Sequence, residues 1–247
     1  MENWQERTGI LLGEGGLEKL KNSSILVVGL GGVGAYAAEM LCRAGVGRII
    51  LLDSDTVNLT NKNRQLIALD STIGMLKSEV LAGRMKDINP KIELKIISEY
   101  LEEENVDNLF KLAVENDDNV RHIDYVIDAI DTLAPKIALV KYCINNSIPL
   151  VSSMGAGAKL DATKITIADI SKSYNCPLAY ILRKKLRKEG IEKGFKVVFS
   201  TELPNRDAII PAEERNKKSQ VGTISYIPAV FGCICAQVAT GYILEEK

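Results

Sequence analysis

The sequence predicts an α/β chain with a doubly wound, Rossmann-like and mostly parallel sheet. Two observations carry that expectation. The stretch Ser23 to Asp55 reads as strand, glycine turn, helix, strand, acid, the order of a nucleotide-binding βαβ unit. Downstream, short apolar runs alternate with helix-period segments, and that alternation implies parallel strands joined by crossover helices. Antiparallel additions are expected in the C-terminal half.

Ile25 to Val28 is a β-branched strand, and Gly29, Gly31, Gly32 and Gly34 follow at once. Gly29 permits a sharp turn, Gly31 lets backbone N–H groups approach phosphate oxygens, and Gly34 lets the next helix pack close to the sheet. Phosphates would sit at the positive N-terminus of that helix. Ala37, Ala38 and Leu41 mark its buried face. Ile49 to Leu52 is the second strand, and Asp53, nineteen residues past Gly34, is placed to accept hydrogen bonds from ribose hydroxyls. The pattern serves a dinucleotide or ATP.

Upstream, Glu14 to Lys21 reads as a short helix. Ser54 to Asn63 is a polar loop at the carboxyl end of the sheet, where open α/β sheets place their ligands. Helices are expected at Lys77 to Ile88, ended by Pro90, at Val106 to Val114 and from Pro135 to Asn146. Ile92 to Ile97, Tyr125 to Ile130 and Pro149 to Ser153 read as strands. In the second half Ile165 to Ile170 and Lys196 to Phe199 are further strands, and Pro177 to Lys188 is a basic helix. Asn205 to Gln220 is polar and aperiodic, the pattern of a mobile loop. Val221 to Leu244 carries no charge; its length admits a membrane span, while Ser225, Pro228, Gln237 and small residues at helix-packing spacing favour a core or interface helix.

With 247 residues, 46% hydrophobic and 26% charged, the chain suits one domain spanning 1–247, with a nucleotide-binding half (1–155) and a substrate and dimerisation half (156–247). A net charge of −1 gives no global attraction to nucleic acid, so any such contact needs a local patch. The five cysteines are scattered, Cys42 and Cys143 lie in apolar helical stretches, and Met1 to Arg7 is polar. Reduced thiols in a cytoplasmic protein are expected.

Breaking an α–β phosphate linkage requires cations near the phosphates and a carboxylate for magnesium. Arg64 and Lys77 supply the cations, and Asp131, after a parallel strand, supplies the metal ligand. A dehydrogenase or a passive nucleotide-binding module would leave all three unexplained.

At these residues the chain resembles the ubiquitin-activating-enzyme-like superfamily of adenylating enzymes. The matching stretches are GLGGVG at 29–34, LLDSDTVNLTNKNRQ at 51–65, Lys77, INP at 88–90 and DAIDT at 128–132. The resemblance implies ATP and Mg²⁺, with Asp53 on the ribose, Arg64 and Lys77 on the phosphates and Asp131 on the metal. It adds Asp55, Asn61 and Gln65 to the pocket, and Arg7 as an arginine presented to the triphosphate, in some members from the neighbouring subunit. The paired CxxC motifs of the zinc-binding sulfur-carrier adenylyltransferases are missing, since Cys233 and Cys235 are one residue apart, so no zinc is expected. Cys176 is not expected to serve as a nucleophile, and His122 reads as structural.

The second half resembles one branch, the tRNA threonylcarbamoyladenosine dehydratases, through NRQ at 63–65, VIDAID at 126–131, IPLV at 148–151, GAG at 155–157, PLA at 177–179 and VFSTE at 198–202. That resemblance implies ATP-dependent cyclisation of the threonylcarbamoyl side chain on an adenosine beside the anticodon. Activation of a ubiquitin-like sulfur carrier's C-terminal glycine is the alternative. Five cations within Arg183 to Lys188 (Arg183, Lys184, Lys185, Arg187 and Lys188) are the expected contact with tRNA phosphates. A homodimer is expected, and a sulfur-transfer protein partner stays open.

Overall fold

The computed structural model describes residues 4–115, 122–214 and 217–246. Seven strands form one sheet in the order β3-β2-β1-β4-β5-β7-β6. They are β1 (Ser24–Val28), β2 (Arg48–Leu52), β3 (Glu93–Ile97), β4 (Tyr125–Asp128), β5 (Leu150–Ser153), β6 (Ile165–Asp169) and β7 (Lys196–Ser200). All neighbours pair in parallel except β6, which runs antiparallel on β7. The expected antiparallel addition is therefore one edge strand, because β7 joins β5 in parallel. Strand order reverses between β1 and β4, the point where doubly wound sheets open a ligand crevice.

The strands β1 and β2 are buried at every residue, which is why both read as continuous apolar runs rather than alternating ones. Helices α1 (Glu6–Lys21), α2 (Gly34–Ala44), α3 (Lys77–Ile88) and α7 (Tyr226–Glu246) cover one face, while α4 (Val106–Val114), α5 (Leu133–Asn145) and α6 (Pro177–Lys188) cover the other. Helix α1 starts eight residues earlier than the sequence suggests. It is broken at Gly13, where φ is 71°, and that break scrambles the helical period of its first half.

The uncharged C-terminal segment is a core helix. Although long and apolar enough to cross a membrane, α7 lies against α2, α1 and the sheet. A Cβ on Gly232 would meet the Val33 carbonyl oxygen at 2.4 Å, so the two helices touch through backbone.

The described residues of the segment Asn205 to Gln220 form a hairpin ribbon rather than the expected mobile loop. Ile209–Glu214 (β8) and Lys217–Val221 (β9) pair antiparallel, and residues 215–216 lie outside the described chain. Main-chain bonds anchor this ribbon: Gly222 N–H donates to Ala208 O and Ala158 N–H to Gly222 O, each at 2.8 Å. A surface ribbon buries little, so no hydrophobic period announces it.

One ion pair lies wholly inside. Lys136 and Asp128 both have fully buried side chains, with Nζ 2.7 Å from Oδ2. Lys136 Nζ also donates to Ser152 Oγ at 3.1 Å and Ser153 O at 3.0 Å, while Ser152 Oγ donates to Asp128 at 2.5 Å. Every lysine proton has an acceptor. Lys136→Met would strand a buried carboxylate and cost about 3–5 kcal/mol, read as a lowered urea midpoint. The double substitution Lys136→Met with Asp128→Leu, which removes both charges, should recover most of that loss.

Candidate active site

The site is built at the carboxyl ends of β1, β2 and β4. Gly29 leaves β1 with φ at 86°, and its carbonyl sits where a Gly34 side chain would begin. A Cβ at Gly34 would fall 1.7 Å from Gly29 O. The first turn of α2 therefore closes directly on the strand end and sets the helix N-terminus at the crevice. A Cβ at Gly29 would lie 2.9 Å from Ala129 O, so the loop also touches the chain leaving β4.

Asp53, at the end of β2, accepts from the Leu30 N–H at 2.5 Å and the Asp55 N–H at 2.7 Å. Burial pushes its carboxyl above the ordinary aspartate range, while the Lys77 ammonium and the two N–H groups pull the other way. Lys77 starts α3, is 5% exposed, and holds Asp55 Oδ2 at 2.7 Å. The lysine thus reaches the crevice as a charge already desolvated. Arg64 is half-buried, its Nη1 donating to Thr60 O at 3.1 Å and Asn63 Oδ1 at 2.8 Å.

Gln65 tests whether the crevice fits a ligand. It is 91% buried, and its Oε1 has no hydrogen-bond partner among the described residues. The side chain lies beside Gly31, whose Cβ position is 3.6 Å from Gln65 Nε2. A buried acceptor without a partner fits a ligand that brings a donor, as the ribose hydroxyls or base amino group of a nucleotide do. Asn61 is buried one turn away, where its Oδ1 braces the loop by accepting from Asn58 N–H at 3.1 Å.

Helix α7 completes the pocket from the second half of the chain. Pro228 lies against the Gly32 position at 3.1 Å, and Asn63 Nδ2 donates to Thr223 O at 2.9 Å. Asp131 is exposed beyond β4, at the same end of the sheet. The Lys136–Asp128 pair lies directly beneath it, and Asp128 Oδ1 accepts from the Ile130 N–H at 3.1 Å, fixing the turn that presents Asp131. Sequence reasoning missed Lys136. A single lysine inside the otherwise uncharged run Leu133 to Val140, eight residues after Asp128, was the available signal.

Arg7 and Arg183 lie away from the glycine loop of this chain. Arg7 is exposed on α1. Two residues before it, Gln5 packs against Gly45, which caps the far end of α2. Eleven helical residues span roughly 16 Å, so Arg7 is remote from the glycine loop of its own chain. Arg183 is half-buried, and its Nη1 donates to Ser173 O at 2.8 Å and to Ser173 Oγ. It serves as a brace for α6, leaving Lys184, Lys185, Arg187 and Lys188 as the exposed cations.

These cations are also distant from the pocket. The N-terminus of α6 sits at the carboxyl end of the sheet, since a Cβ at Gly155 would lie 3.6 Å from Cys176 Sγ. The helix then descends past the sheet, placing the cations roughly 10–17 Å below its start. Cys176 is buried at 5% exposure, poorly placed for a nucleophile. His122 is exposed and pairs with Asp124 at 2.5 Å; Asp124 Oδ2 accepts from the Ser24 N–H at 2.7 Å, so its surroundings are structural. Cys42 and Cys143 are buried free thiols, and burial raises both pKa values, Cys42 to about 11.

The fold and the crevice define a Rossmann-like nucleotide-binding protein of the adenylating type. The chain belongs to the ThiF family, whose pattern matches residues 6–247. It is 44% identical over 236 residues to a tRNA threonylcarbamoyladenosine dehydratase of Bacillus subtilis, covering 92% of this chain and 89% of that one. Against the enzyme of that name from Escherichia coli it is 37% identical, with 96% and 92% covered. The crystal structure of the E. coli protein in complex with ATP superposes with a TM-score of 0.87 at 35% identity, covering 100% of this chain and 97% of that one. Molybdopterin-synthase adenylyltransferase of Haemophilus influenzae is 38% identical, over 59% of this chain.

Gln65→Met removes the orphaned acceptor without emptying its space. The variant should keep or slightly raise the urea midpoint while weakening ATP binding about tenfold, the scale of one buried hydrogen bond; calorimetric titration beside the denaturation curve reads both.

Proposed function

We propose that this chain uses ATP to dehydrate threonylcarbamoyladenosine beside the anticodon of tRNA, closing the side chain into a cyclic oxazolone. The observation that carries the reading is the near full-length similarity to proteins named for that activity, joined to a buried acceptor, Gln65 Oε1, that has no partner among the described residues.

The glycine loop and the N-terminus of α2 would cradle the phosphates, Asp53 would accept from ribose hydroxyls, and Gln65 Oε1 would gain its missing donor. A carboxylate oxygen of the threonyl group attacks the α-phosphorus of ATP. The bond to the bridging oxygen breaks and pyrophosphate leaves. Arg64 and Lys77 offset the charge that builds on the leaving group, and Lys77 is effective because it is already desolvated. The ureido oxygen of the same side chain then attacks the acyl carbon, AMP departs, and the ureido nitrogen loses a proton. Attack within one molecule needs no enzymatic nucleophile, in keeping with the buried Cys176. No sulfur donor enters this balance.

Magnesium belongs to the proposal. Among the described residues no group of three or more His, Cys, Asp or Glu side chains forms a standing metal cage. A single carboxylate together with nucleotide phosphates is the usual magnesium arrangement, and Asp131 supplies it. The ion would neutralise charge on the phosphates. The position of Arg7, with Trp4, Ile10 and Leu11 exposed on the same N-terminal stretch, supports a homodimer in which Arg7 faces the partner's nucleotide. The free thiols among the described residues support a reducing, cytoplasmic setting.

The test is mass spectrometry of tRNA nucleosides from cells with and without the gene. Loss of the cyclic form with accumulation of open threonylcarbamoyladenosine is expected, and an unchanged ratio would sink the reading. Asp131→Ala should cut modified-tRNA-dependent pyrophosphate exchange by two to three orders of magnitude. Its melting temperature should stay within a degree or two, because the side chain is exposed.

A further inference from the structure

Helix α6 presents a single exposed face. Ala179, Leu182 and Leu186 are buried, which leaves Tyr180, Lys184 and Lys188 stacked at successive turns, with Ile181, Lys185 and Arg187 flanking them. The head of this ladder is aromatic. Tyr180 is 60% exposed in the first turn, and Tyr174, three residues before α6, is 53% exposed. The Tyr174 ring is held by the Phe199 ring, with centroids 5.5 Å apart at 71°.

A single exposed tyrosine on a surface needs no explanation. The position of Tyr180 is what gives it meaning. Helical side chains lean toward the N-terminus, so the Tyr180 ring lies over the end of α6 that touches Gly155, at the carboxyl end of the sheet where the nucleotide crevice opens. The cations lie further along the same face, away from the crevice. This puts an aromatic surface between the reaction site and the phosphate-binding charges.

We propose that Tyr180, assisted by Tyr174, stacks an unpaired base of the RNA loop adjoining the reacting adenosine, while Lys184 and Lys188 hold the backbone that follows. The inference rests on the tRNA reading above and names the ligand of its substrate surface: single-stranded RNA recognised through a base face rather than by phosphate charge alone. Aromatic rings combined with a cationic track are how single strands are held, and every base offers a face to stack.

Stacking and charge leave different signatures. The experiment titrates fluorescently labelled anticodon stem-loop RNA carrying threonylcarbamoyladenosine against the full chain at several salt concentrations. Tyr180→Ala should weaken binding about 5- to 150-fold, the range of one stacked base, with the salt slope and ATP affinity unchanged. Tyr180→Phe, which keeps the ring, should bind within about twofold of the native chain. Lys184→Ala with Lys188→Ala should instead flatten the log–log salt slope by roughly one to two units. Native affinity in Tyr180→Ala, or a loss in Tyr180→Phe equal to that of Tyr180→Ala, overturns the stacking proposal while leaving the tRNA reading intact. If the native chain fails to bind the RNA at all, the tRNA reading fails and the stacking proposal falls with it.

Discussion

No side chain fits at position 34, and the organisation of the molecule follows from that constraint. With hydrogen alone on its α-carbon, Gly34 lets α2 begin against the Gly29 carbonyl, where a methyl group would lie 1.7 Å away. The helix is thereby locked to the end of β1, with its N-terminus at the gap where strand order reverses. Asp53 then secures the same loop from β2 through the Leu30 N–H. Anion binding here is a property of backbone packing, and the charged side chains around it refine what the main chain has already set.

Charge placement extends that logic. Lys77 is buried against the exposed carboxylate of Asp55, so its desolvation cost is met during folding rather than at the moment of reaction. Lys136 and Asp128 go further, both with fully buried side chains. An apolar pair could fill that space, but it would not hold the Ile130 N–H, and the turn carrying Asp131 would lose its anchor. Two buried lysines thus serve the carboxyl end of the sheet in different ways, Lys77 pairing with Asp55 beyond β2 and Lys136 holding Asp128 beneath the turn after β4.

The order of elements in the nucleotide-binding half was legible because each local signal there has a strict physical cause. Buried parallel strands must be apolar throughout, glycines must stand where backbones touch, and Asp53 must end its strand to hold the Leu30 N–H of the glycine loop. Helices Lys77–Ile88, Val106–Val114 and Pro177–Lys188 were bounded correctly for the same reason, by a proline or by an uninterrupted period. What escaped was long-range or main-chain in origin. The β8–β9 ribbon is anchored by carbonyl and N–H groups that no side-chain pattern encodes. Arg183 looked like one of five equivalent cations until Ser173 was brought beside it. The distance of Arg7 from its own chain's glycine loop likewise depends on how α1 crosses α2, which no local pattern encodes.

Helix α7 adds a consequence for how the protein is made. Its first turn touches Gly32 through Pro228, and Gly232 nests on the first turn of α2, yet about 190 residues separate the two helices along the chain. A ribosome adding roughly 5–20 residues per second therefore releases the glycine loop tens of seconds before the surface that completes it. During that interval the side of α2 that α7 will cover stays open, while β1, β4 and α3 already lie against its other sides. Fragments cut short before α7 would carry the nucleotide signature without the helix that packs over the glycine loop.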